Sequence, residues 1–337
     1  MRNQILAAGM LVAVPLAISV GAIAAQADTR PVLTVYTYDS FISDWGPGPM
    51  VQEAFEAVCG CRLNMVGSGD GAALLARLQL EGARTEADIV LGLDTNLTAR
   101  ALETGLFAPH GLEPALDLPI TWEDPVFLPF DWGWFAFVHD RARTPAPPEN
   151  FGELIASDLS VIIQDPRSST PGLGLLMWVK AAYGDEAAAI WEGLAPRILT
   201  VTSGWSEAYG LFLDGEADMV LSYTTSPAYH LIAEEDDSKA AAPFDEGHYL
   251  QIEVAGMVAG SDQPELAQQF MEFMLSDAFQ SALPTTNWMY PAVIPQDGLP
   301  QGFEGLHLPE TSLLFSAREA ADLRDSALDE WRNALAR

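Results

Sequence analysis

Apolar and polar positions alternate in blocks of two different periods, and the changes of period mark out the elements. Residues 32–38 are rich in Val, Thr and Tyr and read as a strand. A Gly/Pro turn at residues 45–49 separates this strand from a helical stretch at 51–58. A second strand at 62–66 ends in the loop Gly67-Ser68-Gly69-Asp70-Gly71. In residues 72–80, Leu74, Leu75, Leu78 and Leu80 recur at spacings near 3.6, which predicts a helix. The run at 87–92 reads as a fully buried strand. Strands that alternate with helices in this way predict an α/β fold with a parallel sheet and helices on both faces.

Residues 129–133 interrupt the pattern and lead into a strand at 134–138. After the Pro-rich passage 145–148 the alternation restarts. It predicts a helix near 151–157, a strand at 160–164, helices at 171–183 and 186–194, and a strand at 217–222. Residues 249–254 are strand-like again. Ser261-Asp262-Gln263-Pro264 reads as a capped helix start, with Leu266, Ala267, Phe270, Phe273 and Met274 on one apolar face. A last helix is expected at 317–335. The chain thus leaves a first lobe, builds a second and returns. The expected boundaries are 28–131 with 252–337 for lobe 1 and 132–251 for lobe 2, joined by two crossing strands. A ligand would sit in the cleft between the lobes, and hinge closure is the expected motion.

The amino terminus adds an address. Arg2, an almost uncharged run to Ala25 and the small-residue exit Ala25-Gln26-Ala27 describe a cleavable secretory signal over residues 1–27. The run is also long enough to span a bilayer; Pro15 and the Ala-x-Ala exit favour cleavage and a periplasmic protein. The formal charge of −31 disfavours nucleic acid and anionic lipid as partners and concentrates cations near the surface. Solubility alone also accounts for much of that charge. Cys59 and Cys61 flank Gly60 and either pair as a disulfide or remain thiols. The five His are scattered, so neither a metal nor a cofactor is expected.

Several segments carry a family likeness: VLTVYTYDSF (32–41), DWGPGP (44–49), ADIVLGLD (87–94), QDPRSSTPGLGLL (164–176), GWSEAYGLFL (204–213), LSYTTSPAYH (221–230), EGHYLQ (246–251) and NWMYP (287–291). With these the chain resembles the periplasmic thiamine-binding proteins, the solute-capturing subunits of bacterial thiamine ABC transporters, from residue 32 to the end. The resemblance implies the type II periplasmic-binding fold, a monomer that binds thiamine or its phosphates, and an inner-membrane ABC permease as partner. It also implies ligand contacts by Asp70 and Gly71, by Ser169 and Thr170, and by Tyr223, Thr224, Thr225 and Ser226.

Thiamine joins a flat aminopyrimidine to a cationic thiazolium, with a hydroxyethyl arm that can carry phosphate. Aromatic faces suit the cation at about 0.5 to 2 kcal/mol each. Tyr38, Trp205, Tyr223, Tyr229 and Trp288 lie after strand ends or in loops, where ligands bind in open α/β sheets; core packing is the plainer role of a Trp. The runs Ser168-Ser169-Thr170-Pro171 and Thr224-Thr225-Ser226-Pro227 place hydroxyls ahead of helix starts that could receive an anion. Simple capping explains one hydroxyl in each. Asp70 serves either turn geometry or the ligand's amino group. Two other readings compete. A polyamine or ferric-iron carrier would want more carboxylates, or a Tyr pair with His. A thiaminase-like enzyme would need a cleft Cys nucleophile, and the only thiols lie in the turn at 59–61, at the amino end of the sheet.

Overall fold

The computed structural model describes residues 29–336, so the signal-peptide reading of 1–27 lies outside the described residues. From Pro31 onward the chain forms one compact unit. It opens with β1 (Val32–Thr37), a single helical turn α1 (Asp39–Ile42) and α2 (Gly48–Cys59). α2 starts earlier than its apolar pattern predicts because Pro49 fits the first turn. It stops at Gly60, whose φ of 63° makes a left-handed C-cap. Cys59 and Cys61, on either side, are joined in a disulfide. β2 (Arg62–Gly67), α3 (Gly71–Glu81), β3 (Ile89–Asp94), α4 (Thr98–Glu103) and β4 (Phe107–Ala108) follow. Every residue of β3 is buried, which is why its sequence is an unbroken apolar run before Asp94.

β5 (Phe127–Asp140) is one long strand where the sequence pattern predicts a break at 129–133. Pro129 is tolerated because it sits beside an irregularity: Asp131 pairs with Glu253 and Pro129 with Val254, leaving Phe130 as the extra residue. Then come α5 (Phe151–Ala156), β6 (Val161–Gln164), α6 (Thr170–Tyr183), α7 (Ala187–Leu194), β7 (Ile198–Thr202), α8 (Trp205–Leu213), β8 (Met219–Tyr223), α9 (Pro227–Ala233) and β9 (Lys239–Ala241). The last part holds β10 (His248–Val258), α10 (Pro264–Phe273), α11 (Asp277–Gln280), α12 (Leu283–Thr286), β11 (Tyr290–Pro291), β12 (Ser312–Leu313) and α13 (Ala317–Leu335). β7, α8 and β9 carry no periodic signal strong enough to predict; β7 is a five-residue strand with little full burial.

The main sheet runs β2-β1-β3-β10-β5-β8-β6-β7. β1 is parallel to β2 and β3, and β6 is parallel to β7 and β8. Between these groups, β10 and β5 are antiparallel to each other and to β3 and β8. The parallel sheet expected from the alternation is therefore a mixed one, because the two strands that link the groups must run opposite ways. β5 pairs with β10 as far as Trp134 and with β8 from Phe135 onward, which is where the chain passes between groups. α6 is buried from Thr170 to Val179 and packs Trp178 against Phe137 and Phe151. α13 begins with a Ser316–Glu319 capping box and packs on α6 and α7, where Lys180 Nζ meets Glu330 Oε1 at 2.7 Å. Among the described residues no helix is long and apolar enough to cross a membrane.

Candidate functional site

A cavity of about 370 Å³ opens between the two strand groups, and one wall of it is aromatic. Trp205, the first residue of α8, stacks on Tyr209 one turn later, with centroids 5.1 Å apart and planes 22° apart. Its Nε1 donates to Ser222 Oγ at 2.8 Å, which fixes the ring. Trp45 reaches the same ring from the other strand group, at 6.2 Å. Farther along, Trp288 meets Tyr229 edge-on at 5.3 Å. Trp288 has a φ of 57°, a left-handed conformation that a bulky residue adopts only when its surroundings impose it. Here the imposed conformation places the indole on the cavity.

The floor is acidic. Tyr38 lies over Gly92, whose φ is 104° and whose added Cβ would come within 2.2 Å of the ring, so only glycine allows this seat. Tyr38 OH donates to Glu253 Oε2 at 2.9 Å. Asn287 Nδ2 donates to Tyr38 OH at 3.0 Å and to Asp131. Asp131 and Glu253 are cross-strand partners on β5 and β10, linked through Asn287 and Tyr38, with 0% and 5% of their surface exposed. Burial pushes Asp131 up to about 7. Burial, and then the charge of Asp131, push Glu253 well above the carboxylate range. Asp94, opposite Glu253 on β3, is also raised by burial to about 7. Burial raises Asp70 too, against the hydrogen bonds that it accepts. Of the four, Asp70 and Glu253 line the cavity, where a cation would favour their charged forms.

The helix starts are tied to this floor. Asp70 caps α3 through Gly71 N, accepts from Ser169 Oγ at 2.8 Å, and also takes the backbone N–H groups of Thr170 and Trp205. One carboxylate thus closes the first turns of α6 and α8 as well as its own helix. Of the hydroxyls at the Ser169 and Thr170 start expected to receive an anionic arm, Ser169 Oγ is taken by Asp70. Thr170 Oγ1 accepts from Gly71 N at 3.2 Å. Gly71 packs so tightly on it that an added Cβ would lie 2.4 Å from that oxygen. At the other start, Ser226 Oγ accepts from Tyr223 N and bonds Ser222 Oγ, and α9 is only seven residues long.

Of the residues singled out by sequence, Tyr38, Asp70, Trp205, Tyr223, Ser226, Tyr229 and Trp288 line the cavity. Gly71, Ser169, Thr170, Thr224 and Thr225 are buried behind it. They support the lining: Ser169 holds Asp70, and Thr225 Oγ1 reaches Met289 Sδ at 3.5 Å. Sequence reasoning missed Trp45, Tyr209, Gln251, Glu253 and Asn287. For Glu253 the signal was present, since a charged residue stands between Ile252 and Val254 in the middle of a buried strand. Trp45 was hidden in what reads as a plain Gly/Pro turn.

Residues 49–281 match the family of bacterial extracellular solute-binding proteins. The chain belongs to that family. It is 56% identical to the thiamine-binding periplasmic protein of Escherichia coli (strain K12) over 91% of this chain and 94% of the relative. The counterpart from Brucella abortus is 50% identical over 94% of this chain and 95% of its own. A solved structure titled periplasmic thiamin binding protein superposes with a TM-score of 0.90 at 54% identity, over 93% of this chain and 98% of that one. A ferric binding protein from Campylobacter jejuni, at 19% identity and a TM-score of 0.70, shares the fold alone. The architecture is the type II periplasmic-binding fold.

Proposed function

We propose that this chain is a periplasmic thiamine carrier, which captures the vitamin in the cavity between the strand groups and delivers it to an inner-membrane ABC permease. The observation that carries the reading is the pairing of a Trp and Tyr wall with the carboxyls of Asp70 and Glu253, backed by the buried Asp94 and Asp131. Flat rings find stacking partners in Trp45, Trp205, Tyr209 and Trp288, and a fixed positive charge finds the acids. The relatives of high identity carry the same function in their names. A polyamine or ferric iron would use the acids but leave the aromatic wall without a role, and these readings are not favoured.

The two lobes are taken as 28–131 with 252–337, and 132–251. β5 and β10, the long antiparallel strands at the middle of the sheet, form the hinge in this proposal. The chain works as a monomer without a cofactor or catalysis. Both of its cysteines are spent in the Cys59–Cys61 disulfide, which leaves no thiolate to attack the ligand. Calorimetric titration with thiamine, its monophosphate and its diphosphate tests the reading. Submicromolar binding, about −8 kcal/mol or better, is expected. No heat and no tryptophan fluorescence change at about one hundred micromolar would reject it.

A further inference from the structure

Asp131 and Glu253 stand opposite each other on the two strands that cross between the groups, and nothing in the fold requires acids there. Their neighbours along each strand, Phe130, Ile252 and Val254, are buried and apolar. The groups facing the pair come from every side. Tyr38 from the end of β1 donates to Glu253, and Asn287 after α12 donates to Asp131. Asp94 lies across from Glu253 on β3, Asp70 adds its charge from the start of α3, and the Tyr223 phenol on β8 feels all four acids. None of these neighbours is cationic. One Asp131 oxygen, Oδ1, is buried without a hydrogen-bond partner. Two buried carboxyls paired across adjacent strands, and linked through Tyr38 OH and Asn287, hold one proton between them, because two anions so placed repel. Glu253 lines the cavity, and Asp131 stands behind it.

We propose that Glu253, backed by Asp131, is a further ligand-reading residue, and that entry of a cationic ligand expels the proton the two share. This rests on the thiamine reading of the cavity. Before binding, the pair carries one negative charge and one proton. Afterwards it carries two negative charges beside the fixed positive charge of the thiazolium, and the proton has passed from the carboxyl O–H to a solvent base. Capture is therefore linked to pH. Affinity for thiamine rises with pH while the pair holds its proton, by up to about tenfold per pH unit, and levels off once the proton is gone. The raised titration of both carboxyls agrees with this direction. Selectivity follows as well, because a neutral ring of the same shape leaves the proton in place and gains no second charge.

Two measurements test the proposal. Thiamine titrations at neutral pH in phosphate and in Tris, buffers of different ionisation heat, count the protons released on binding. Wild type should release close to one, and Glu253→Gln close to none, with an affinity that no longer varies with pH. Asp131→Asn removes the repelling partner, so Glu253 ionises earlier and proton release falls while binding at low pH is retained. Wild-type binding with the same heat in both buffers would overturn the proposal and leave the thiamine reading intact. The ligand-free protein is then read by infrared spectroscopy for the carbonyl band of a protonated carboxyl at neutral pH. The band should weaken in Glu253→Gln and in Asp131→Asn relative to wild type, the remainder coming from other buried carboxyls such as Asp94, with unchanged circular dichroism showing that both variants fold. If thiamine gives no heat at all, the thiamine reading has failed, and this band alone decides the pair: its absence from wild type overturns the shared proton.

Discussion

α6 and α9 both begin at the cavity with a run of hydroxyl residues and a proline, and their N-cap serines are bonded in different ways. Ser169, the N-cap of α6, turns its hydroxyl toward Asp70 of the other strand group, and the same carboxylate takes Thr170 N and Trp205 N. Ser226, the N-cap of α9, bonds backward to Tyr223 N and Ser222 on its own strand. The α6 start is thus a link between the strand groups, and the α9 start is tied only to the strand before it. The orphan donors of a helix end need some acceptor. When the acceptor arrives from a distant segment, the helix end becomes part of whatever motion separates the two.

Changing pH should separate the two ends most widely. Asp70, Asp94, Asp131 and Glu253 all titrate above their ordinary range in the folded chain, Asp94 and Asp131 near 7. In the unfolded chain they titrate near ~4. Between these limits the folded state holds more protons on these four carboxyls, so their contribution to stability is full below ~4 and is lost as pH rises through about 7. The ligand-free protein should melt at a lower temperature at pH 8 than at pH 5, a loss on the order of a few kcal/mol. Asp70→Asn should shrink this fall and Ser226→Ala should leave it unchanged. A melting temperature that rises over this range would contradict the acid floor.

Next in size is Asp70→Ala, which strips acceptors from Ser169 Oγ, Thr170 N and Trp205 N at once. It should cost about 2 to 3 kcal/mol in urea unfolding, against about 1 for Ser226→Ala. Equal losses would mean that the two helix starts do not differ. Affinity gives a third comparison. Trp205, at the α6 and α8 end, is stacked and hydrogen-bonded, and Trp205→Ala should weaken thiamine by about 1 to 3 kcal/mol. Trp288→Ala, at the Tyr229 end, should cost at least about 1 kcal/mol. Parental binding in both variants would place the ligand elsewhere.

The smallest effect concerns the phosphate arm. Asp70 already fills the α6 start, so a phosphate there would meet a like charge. Thr170→Val and Ser226→Ala should each cost about 1 kcal/mol of stability and shift all three vitamers alike. Asp70→Asn should move preference toward the phosphorylated vitamers, by less than about tenfold. A selective loss of phosphate affinity in Thr170→Val would show that the ligand displaces the Asp70 carboxylate.

Much of this was legible along the chain because it depends on near neighbours. The buried runs of β1 and β3, the leucine spacing of α3 and the bounds of α13 follow from local periodicity. So do the hydroxyl–proline helix starts and the aromatic residues near strand ends. β7, α8 and β9 were illegible because short elements with weak periodicity take their shape from the sheet they join. β5 ran through a proline that local rules treat as a break, since the bulge opposite Glu253 and Val254 removes the bond that proline cannot make.

By itself the sequence determined which residues could serve a flat cation: the tryptophans and tyrosines, the hydroxyl runs and an excess of acid. Tertiary structure decided which of them do so together. It brought Trp45 to Trp205, seated Tyr38 on Gly92, and turned Ser169 away from capping toward Asp70. It also set Glu253 against Asp131 and so made two ordinary surface residue types into a buried pair. The physical reason is burial. A carboxyl in water is indifferent to its neighbours, whereas one enclosed by a folded sheet must take its partners from whichever strands the topology places beside it.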